Sequence, residues 1–508
     1  MESIVERLQQ LHATIDVSPH HAISEALSIV FNCSLEQSDR FNIAMMLASI
    51  LVDGGAITED KYSIEEGLSQ LQHLCAEFDH PQLRYNLANA YRAKSKIKSK
   101  NIDWLGHQEN ARYDRNEARK IYWGIATNPD VDVDLRTQAW TNLGNLFSNS
   151  FRLWEAHDSW DFALQLDSKN GVAAACAAQN LFWLCEHSIG SDFARVEAEI
   201  LASIARQNAE RIEEYAGSGA ARNILEYTRN FEQAEVPRSQ QDPFRFWIEK
   251  ERLSLAPVSG RIDPVAEHLD WLQLRGVYEH KKGSEGRMPS IFPMFNTLKA
   301  DYMLARDLLW RSQDEGVWLR TSDFDDTLDY ALYGPDTSAL VLAYRCSLDL
   351  LDKVAAAANQ FFNFGWVAKD IKFSFWRDGD RKLKPEVQQA IRSGAHALYG
   401  LVELAGDYAA KNGIYEKQQI TRNTATHRFV ILHDGGHPKD WRVAPEIEHH
   451  RLEDFRHDAL VALRVARSAI QMLTLAIQQH TESHSALDDL PVSIYQAPSH
   501  DRIRGRKD

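Results

Sequence analysis

The stretch WTNLGNLFSNSFRLWEAHDSWDFALQL, residues 140–166, decides the fold of the first half of the chain. Trp140, Leu143, Gly144 and Phe147 share one face at helical spacing, and Ala156, Trp160 and Ala163 share another. The small residues Gly144 and Ala156 let two antiparallel helices approach closely, and the aromatics fill the gap between them. The stripe is therefore read as packing core, because its spacing serves helix against helix.

The same seven positions fall at the spacing of one tetratricopeptide unit. Ser168 stands where that pattern usually has Pro, so the closing turn departs from it. An upstream copy is interrupted. Leu87, Ala88 and Tyr91 match its first helix, and Ala118, Tyr122 and Ile125 its second. The insertion between them carries Arg92, Lys94, Lys96, Lys98 and Lys100. A weaker copy begins at Ala174, Ala177, Ala178 and Leu181. Units of this kind cannot bury their faces alone, so they stack into a curved solenoid with a concave face for a peptide or protein. The solenoid is expected over 20–236, with Pro237-Arg238-Ser239-Gln240-Gln241-Asp242-Pro243 as its boundary. A helical connector of short helices and loops follows over 237–335.

A helical bundle is expected over 336–484. Its first helix is predicted near 337–363 from Leu340, Tyr344, Leu348, Leu351 and Ala355. The second follows Pro385 and stops near Asn412-Gly413. A third runs to Gly435-Gly436, and a long fourth covers about 446–481. No alternating strand pattern is read, so the whole protein is expected to be all-α. The tail 485–508 is expected to be mobile.

Composition sets outer bounds. The chain has 508 residues, enough for two or three domains. Its net charge of −15 argues against a polyanion-binding surface all round, so any RNA contact needs local basic patches. One such patch is the insertion from Arg92 to Lys100. The other is Lys369, Lys372, Arg377, Arg381, Lys382 and Lys384, interleaved with Phe373, Phe375 and Trp376, where aromatics could stack on bases. The plainer reading of both is a solvated face over core aromatics. Cys33, Cys75, Cys176, Cys185 and Cys346 are odd in number, scattered and without CxxC spacing. They read as reduced thiols of a cytoplasmic protein. Neither a signal peptide nor a membrane span is expected.

The chemistry-bearing stretch is Arg422-Asn423-Thr424-Ala425-Thr426-His427. It sets a fixed cation, an amide and an imidazole within two helical turns, a set suited to metal-free cleavage of RNA. Arg followed five positions later by His occurs five times: Arg7/His12, Arg152/His157, Arg275/His280, Arg422/His427 and Arg428/His433. Only Arg422 is followed by a polar side chain able to hydrogen-bond. It also lies just past the loop signal Lys411-Asn412-Gly413, near a helix start that favours anions.

In a helical domain, Arg-Asn-x-x-x-His resembles the HEPN ribonucleases (higher eukaryotes and prokaryotes nucleotide-binding). Tyr344 to Ala355 is similar to the "LDK-x-A" helix of a bacterial HEPN family with N-terminal tetratricopeptide repeats. Trp247–Pro257 (WIEKERLSLAP) and Asn296–Arg306 (NTLKADYMLAR) look like that family too. The resemblance implies a metal-independent endoribonuclease, without cofactor, whose composite site forms where two hexads meet in a homodimer of the C-terminal bundle. His427 would move protons, Arg422 would stabilise phosphoryl charge, and Asn423 would position the phosphate or the His. Products would carry 2′,3′-cyclic phosphate and 5′-hydroxyl ends. A toxin or antiviral role with tRNA among the targets is implied as well.

Asp349, Asp352 and His457 are secondary candidates for orienting the hexad. His433, His437, His449, His450 and His457 form a His-rich region, but no HExxH exists and Gly-Gly-His-Pro reads as a loop, so no metal site is expected. Asp323-Phe324-Asp325-Asp326-Thr327-Leu328 copies a haloacid-dehalogenase phosphotransferase loop. Without βαβ alternation it reads as an acidic helix start. Two other functions stay open: a non-catalytic tetratricopeptide adaptor with a dimerising or nucleotide-binding bundle, and that phosphotransferase.

Overall fold

The computed structural model describes residues 4–29, 37–97, 102–187, 189, 192–228, 242–257, 269–274, 276–278, 288–318, 323–378, 382–409, 413–418, 429–435, 444–485 and 494–495. The chain divides into two units. The first comprises Met1–Asn149, Ala156–Ala177 and Leu201–Glu232. The second comprises Ser150–Glu155, Ala178–Ile200 and Gln233–Asp508.

The first unit is built of helices and turns in its described residues. In chain order its helices are α1 (Ile4–Ala13), α2 (Pro19–Ser28), α3 (Gln37–Thr58), α4 (Lys61–Glu77), α5 (Pro81–Lys96), α6 (Trp104–Ala126), α7 (Val133–Ser148) and α11 (Ala209–Thr228), while α8 (Leu153–Leu166), α9 (Gly171–Glu186) and α10 (Asp192–Gln207) are divided between the units, with residues 153–155, 178–186 and 192–200 counted in the second. From α2 to α7 each helix packs on the next, and α5 also touches α3 and α7. That neighbour pattern is the signature of stacked helix pairs. Starts are set by side chains. Asp60 accepts from Tyr62 N at 3.0 Å, Asp103 from Gly106 N at 2.9 Å, and Asp132 from Asp134 N at 2.9 Å. The 140–166 stretch packs as read. Leu143, Phe147, Ala156, Trp160 and Ala163 are buried, and a Cβ at Gly144 would collide with Trp160 Nε1. Glycine is required there because the indole occupies the space of a side chain.

The second unit holds α12 (Pro243–Lys250), α13 (Ile291–Arg311), α14 (Pro335–Phe362), α15 (Pro385–Arg392), α16 (Ala397–Ala409) and α17 (Leu452–Ser485). Helix α17 is the axis. It packs on α13, α14 and α16. From Phe455 to Ile477 its apolar side chains are buried except Leu460, which is half-buried. It is long and apolar enough to cross a membrane, yet 89% of its apolar window is inside the unit, as expected of a core helix. Phe41–Thr58 of α3 also passes by length and composition. The predicted second bundle helix is two, α15 and α16. Gly394 separates them at φ 111°, and a Cβ on it would collide with Ser483 Oγ.

Two further expectations are corrected. The third helix was to continue to Gly435 and the fourth to begin near 446. Instead β3 (Phe429–His433) and β4 (Ile447–Arg451) pair in parallel, and β2 (Ala331–Leu332) pairs antiparallel with β3. The run Phe429-Val430-Ile431-Leu432 before Gly435-Gly436 is rich in β-branched residues and too short for a helix core. A second, two-stranded pairing joins β1 (Val277–Tyr278) to β5 (Ile494–Tyr495). The all-α class stands, with these short strands added. The acidic stretch 323–328 is not a helix start. It is a loop leading into β2, and α14 begins at Pro335.

Candidate functional site

The hexad residues Arg422, Asn423 and His427 lie outside the described residues, but both flanks of their segment are placed. Upstream, the turn 413–418 is held on two sides. Tyr344 of α14, fully buried, donates its hydroxyl to Gln418 O at 3.0 Å. Lys417 pairs with the buried Asp458 of α17 at 2.8 Å. Downstream, Phe429 N donates to Glu446 O at 2.7 Å, where β3 and β4 begin their parallel ladder. The described upstream flank is thus held by α14 and α17, and the downstream flank by the small sheet.

Of the secondary candidates, Asp352 on α14 accepts from Phe373 N at 2.7 Å and so fixes the turn 373–376. Asp349 is exposed on α14, and His457 is exposed on α17 beside Asp458. The basic patch divides. Lys369 and Lys372 are exposed, Arg377 is half-buried, and Arg381 lies outside the described residues. Its aromatics do not offer stacking faces as a set. Phe373 and Trp376 are each 1% exposed, and Lys384 Nζ sits 3.1 Å from the Phe375 ring centroid. Packing won over base stacking because bulky rings bring more apolar area to the core.

The rival Arg/His pairs have other occupations. Arg7 pairs with Glu25, and His12 lies 3.5 Å from Asp53. Arg152 is fully buried between Glu155, at 2.6 and 2.7 Å, and Asp407. Tyr415 completes this cluster, donating to Glu155 at 2.8 Å. Burial alone would lower the Arg152 pKa, but the two carboxylates hold it above its ordinary value. His433 is fully buried at the end of β3. Arg275, His280 and Arg428 lie outside the described residues.

The segments that resemble the family also explain one another. Residues 251–255 run against α13 and α17 and are stitched by side chains from both. Tyr302 and Arg306 of α13 donate to Leu253 O at 2.7 and 3.0 Å. Arg464 and Gln471 of α17 donate to Glu251 O and Leu255 O at 2.7 Å each, and Arg467 donates to Arg252 O. Arg306 also forms a two-pronged pair with Asp270 at 2.6 and 2.8 Å. A strandless backbone buried here would otherwise leave carbonyls unpaired.

A groove of about 820 Å³ opens in the first unit. Tyr85, Asn89 and Asn142 line it as a connected set: Asn142 donates to Tyr85 Oη at 2.8 Å, and Tyr122 donates to Asn89 at 2.5 Å. Arg92 reaches it from the basic insertion, but Asp16, Asp53, Asp134, Asp167, Glu213 and Glu214 line it too. The groove is therefore acidic. Lys94 is spent on Asp114 at 3.5 Å, and Lys98 and Lys100 lie outside the described residues.

One arrangement escaped the sequence reading. His433 Nε2 lies 2.7 Å from His449 Nδ1, and His433 Nδ1 lies 2.9 Å from the carbonyl oxygen of Asp329. The strand pattern of Phe429–Leu432 was the signal that could have paired these histidines. The phosphotransferase loop finds no support. Residues 323–327 have no regular secondary structure and are exposed, and no βαβ unit exists among the described residues.

Residues 283–480 match the LA2681-like HEPN family. No curated protein and no solved structure matches the chain. The "LDK-x-A" helix, the Asn296–Arg306 segment and the hexad all fall inside the matched stretch, so the chain carries a HEPN-superfamily domain over residues 283–480.

Proposed function

We propose that the protein is a metal-independent endoribonuclease whose active site is Arg422, Asn423 and His427. The observation that carries this reading is elimination within the matched domain. The match over 283–480 leaves out Arg7/His12, Arg152/His157 and Arg275/His280. Of the two pairs inside it, Arg428/His433 has its imidazole wholly buried and bonded to His449. Arg422/His427 remains, four residues in sequence past the flank at Gln418 that α14 and α17 hold. In this mechanism His427 takes the proton of the RNA 2′-hydroxyl as that oxygen attacks the adjacent phosphorus. A second His427, across a twofold axis, protonates the departing 5′-oxygen. Arg422 stabilises the phosphoryl charge as it builds. The products carry 2′,3′-cyclic phosphate and 5′-hydroxyl ends.

The first unit serves as the sensing or assembly part of a toxin or antiviral effector that acts in the cytoplasm on RNA such as tRNA. Its acidic groove suits a basic or amide-rich peptide segment better than RNA. Lys369 and Lys372, both exposed, supply RNA contacts on the second unit. The alternative is a non-catalytic adaptor with a nucleotide-binding or dimerising bundle, favoured by the family's description as nucleotide-binding. Incubating the full chain with total RNA in EDTA and mapping the ends decides between them. Cyclic-phosphate ends that vanish in His427→Ala, a loss of about 10²–10⁴-fold, are expected. No cleavage by the wild type, or equal cleavage by the variant, overturns the assignment.

A further inference from the structure

We infer that Asp329, His433 and His449 form a binding site for one divalent metal ion of the zinc class. One ligand atom from each lies within 4.8 Å of the other two. They come from three separate segments: the loop before β2, the last residue of β3 and the middle of β4. The ladder puts them on one face. Ala331 is the partner of His433, and Ile431 is the partner of His449, so Asp329, His433 and His449 converge at one end of the sheet.

Proton placement supports an ion. A carbonyl oxygen only accepts, so His433 Nδ1 carries the hydrogen it gives to Asp329 O. In the neutral ring, Nε2 then keeps its lone pair. That lone pair is aimed at His449 Nδ1, 2.7 Å away. A histidine fixed through one nitrogen to a backbone carbonyl, with the other turned to a common point, is how metal-binding imidazoles are held. The carboxylate of Asp329 is fixed as well, accepting from Thr327 Oγ1 at 2.5 Å and Ala331 N at 3.2 Å. Its neighbours Leu328 and Tyr330 adopt φ 57° and 60° and are 84% and 81% exposed. Two non-glycine residues thus turn left-handed while the Asp between them is buried.

Zinc takes imidazole nitrogen and carboxylate oxygen at about 2.0–2.2 Å. To seat it, the two nitrogens must part by roughly half an ångström. His449 is only half-buried and can supply that movement. The ion replaces the shared hydrogen, and Asp329 provides compensating charge. Three protein ligands leave one position for water or a further ligand. The site is independent of the ribonuclease chemistry above. It ties the 323–330 loop to β3 and β4, and β3 begins two residues after His427 in sequence.

The test uses the full chain without a histidine tag, loaded with Zn²⁺ and passed into metal-free buffer. Elemental analysis should find one zinc per chain, and Co²⁺ loading should give the visible absorption of a low-coordinate nitrogen–oxygen site. Asp329→Asn and His449→Gln should each weaken zinc binding at least about tenfold. His437→Gln, outside the trio, should not. Because His433 is fully buried, His433→Ala could fail by misfolding and is not used. Circular dichroism and the zinc-induced rise in melting temperature report whether the two chosen variants fold. A wild-type chain that takes up no zinc at micromolar concentration overturns the site. So do folded variants that keep a full equivalent.

Discussion

Arg152 and Asp407 form a buried ion pair across 255 positions of sequence, with Glu155 on the other side of the same guanidinium. The turn 150–155 is thereby fixed to α16 inside the second unit. A cation wholly removed from water and held by two carboxylates has no capacity left for a phosphate, so this copy of the Arg-x₄-His pattern is structural. Arg152→Met should destabilise the second unit by about 3–5 kcal/mol, because it strands Glu155 and Asp407 as uncompensated buried charges. Denaturant unfolding checks this. A change under about 1 kcal/mol would mean the carboxylates are neutral or solvated there.

The ribonuclease proposal needs two imidazoles, and one hexad supplies one. The full chain should therefore be a homodimer, with twice the 58.0 kDa chain mass in light scattering. Mixing active chains with an excess of His427→Ala chains should lower activity per active chain if each site borrows His427 from its partner. A strictly monomeric chain that cleaves RNA would rule out the shared site.

His396 stacks on Phe151 at 5.8 Å, half-buried, and burial lowers its pKa. Its folded-state pKa lies below the unfolded value near 6.5. The neutral ring's contribution to stability is thus fully present above about pH 6.5 and is lost as pH falls through the lower, folded-state pKa. Melting temperature should fall between pH 7.5 and 5, and His396→Phe, which keeps the stack, should reduce that fall. An unchanged pH profile in the variant would show that other groups carry it.

Gly144→Ala should cost about 1–3 kcal/mol in the first unit, since the new methyl meets the buried Trp160 indole. Gly124 is the control, because a methyl group added there would meet nothing within 4 Å. Gly124→Ala should be neutral or slightly stabilising, as alanine favours helix over glycine. Thermal unfolding of both variants against the wild type gives the comparison, and equal effects would mean the close approach is not what holds the pair.

The sequence by itself determined the helix pairs and the long core helix, and it offered the hexad as the one Arg-x₄-His copy with a polar residue after the arginine. Those features are local. Periods of 3.6 residues, a small residue opposite an aromatic, and a polar residue beside an arginine can all be read within one or two turns. Only the tertiary structure decided what each rival arginine and each histidine is used for. The apolar Leu153 after Arg152 set that pair aside in the sequence, but only Asp407 of α16 shows what the guanidinium is used for. Phe373 and Trp376 left stacking and core packing both open, and the fold took the plainer reading by burying them. His433 and His449 sit sixteen positions apart, and their meeting depends on Phe429–His433 being a strand in parallel with Ile447–Arg451. A short apolar run carries too little period to choose strand over helix alone; the partner strand's hydrogen bonds make the choice.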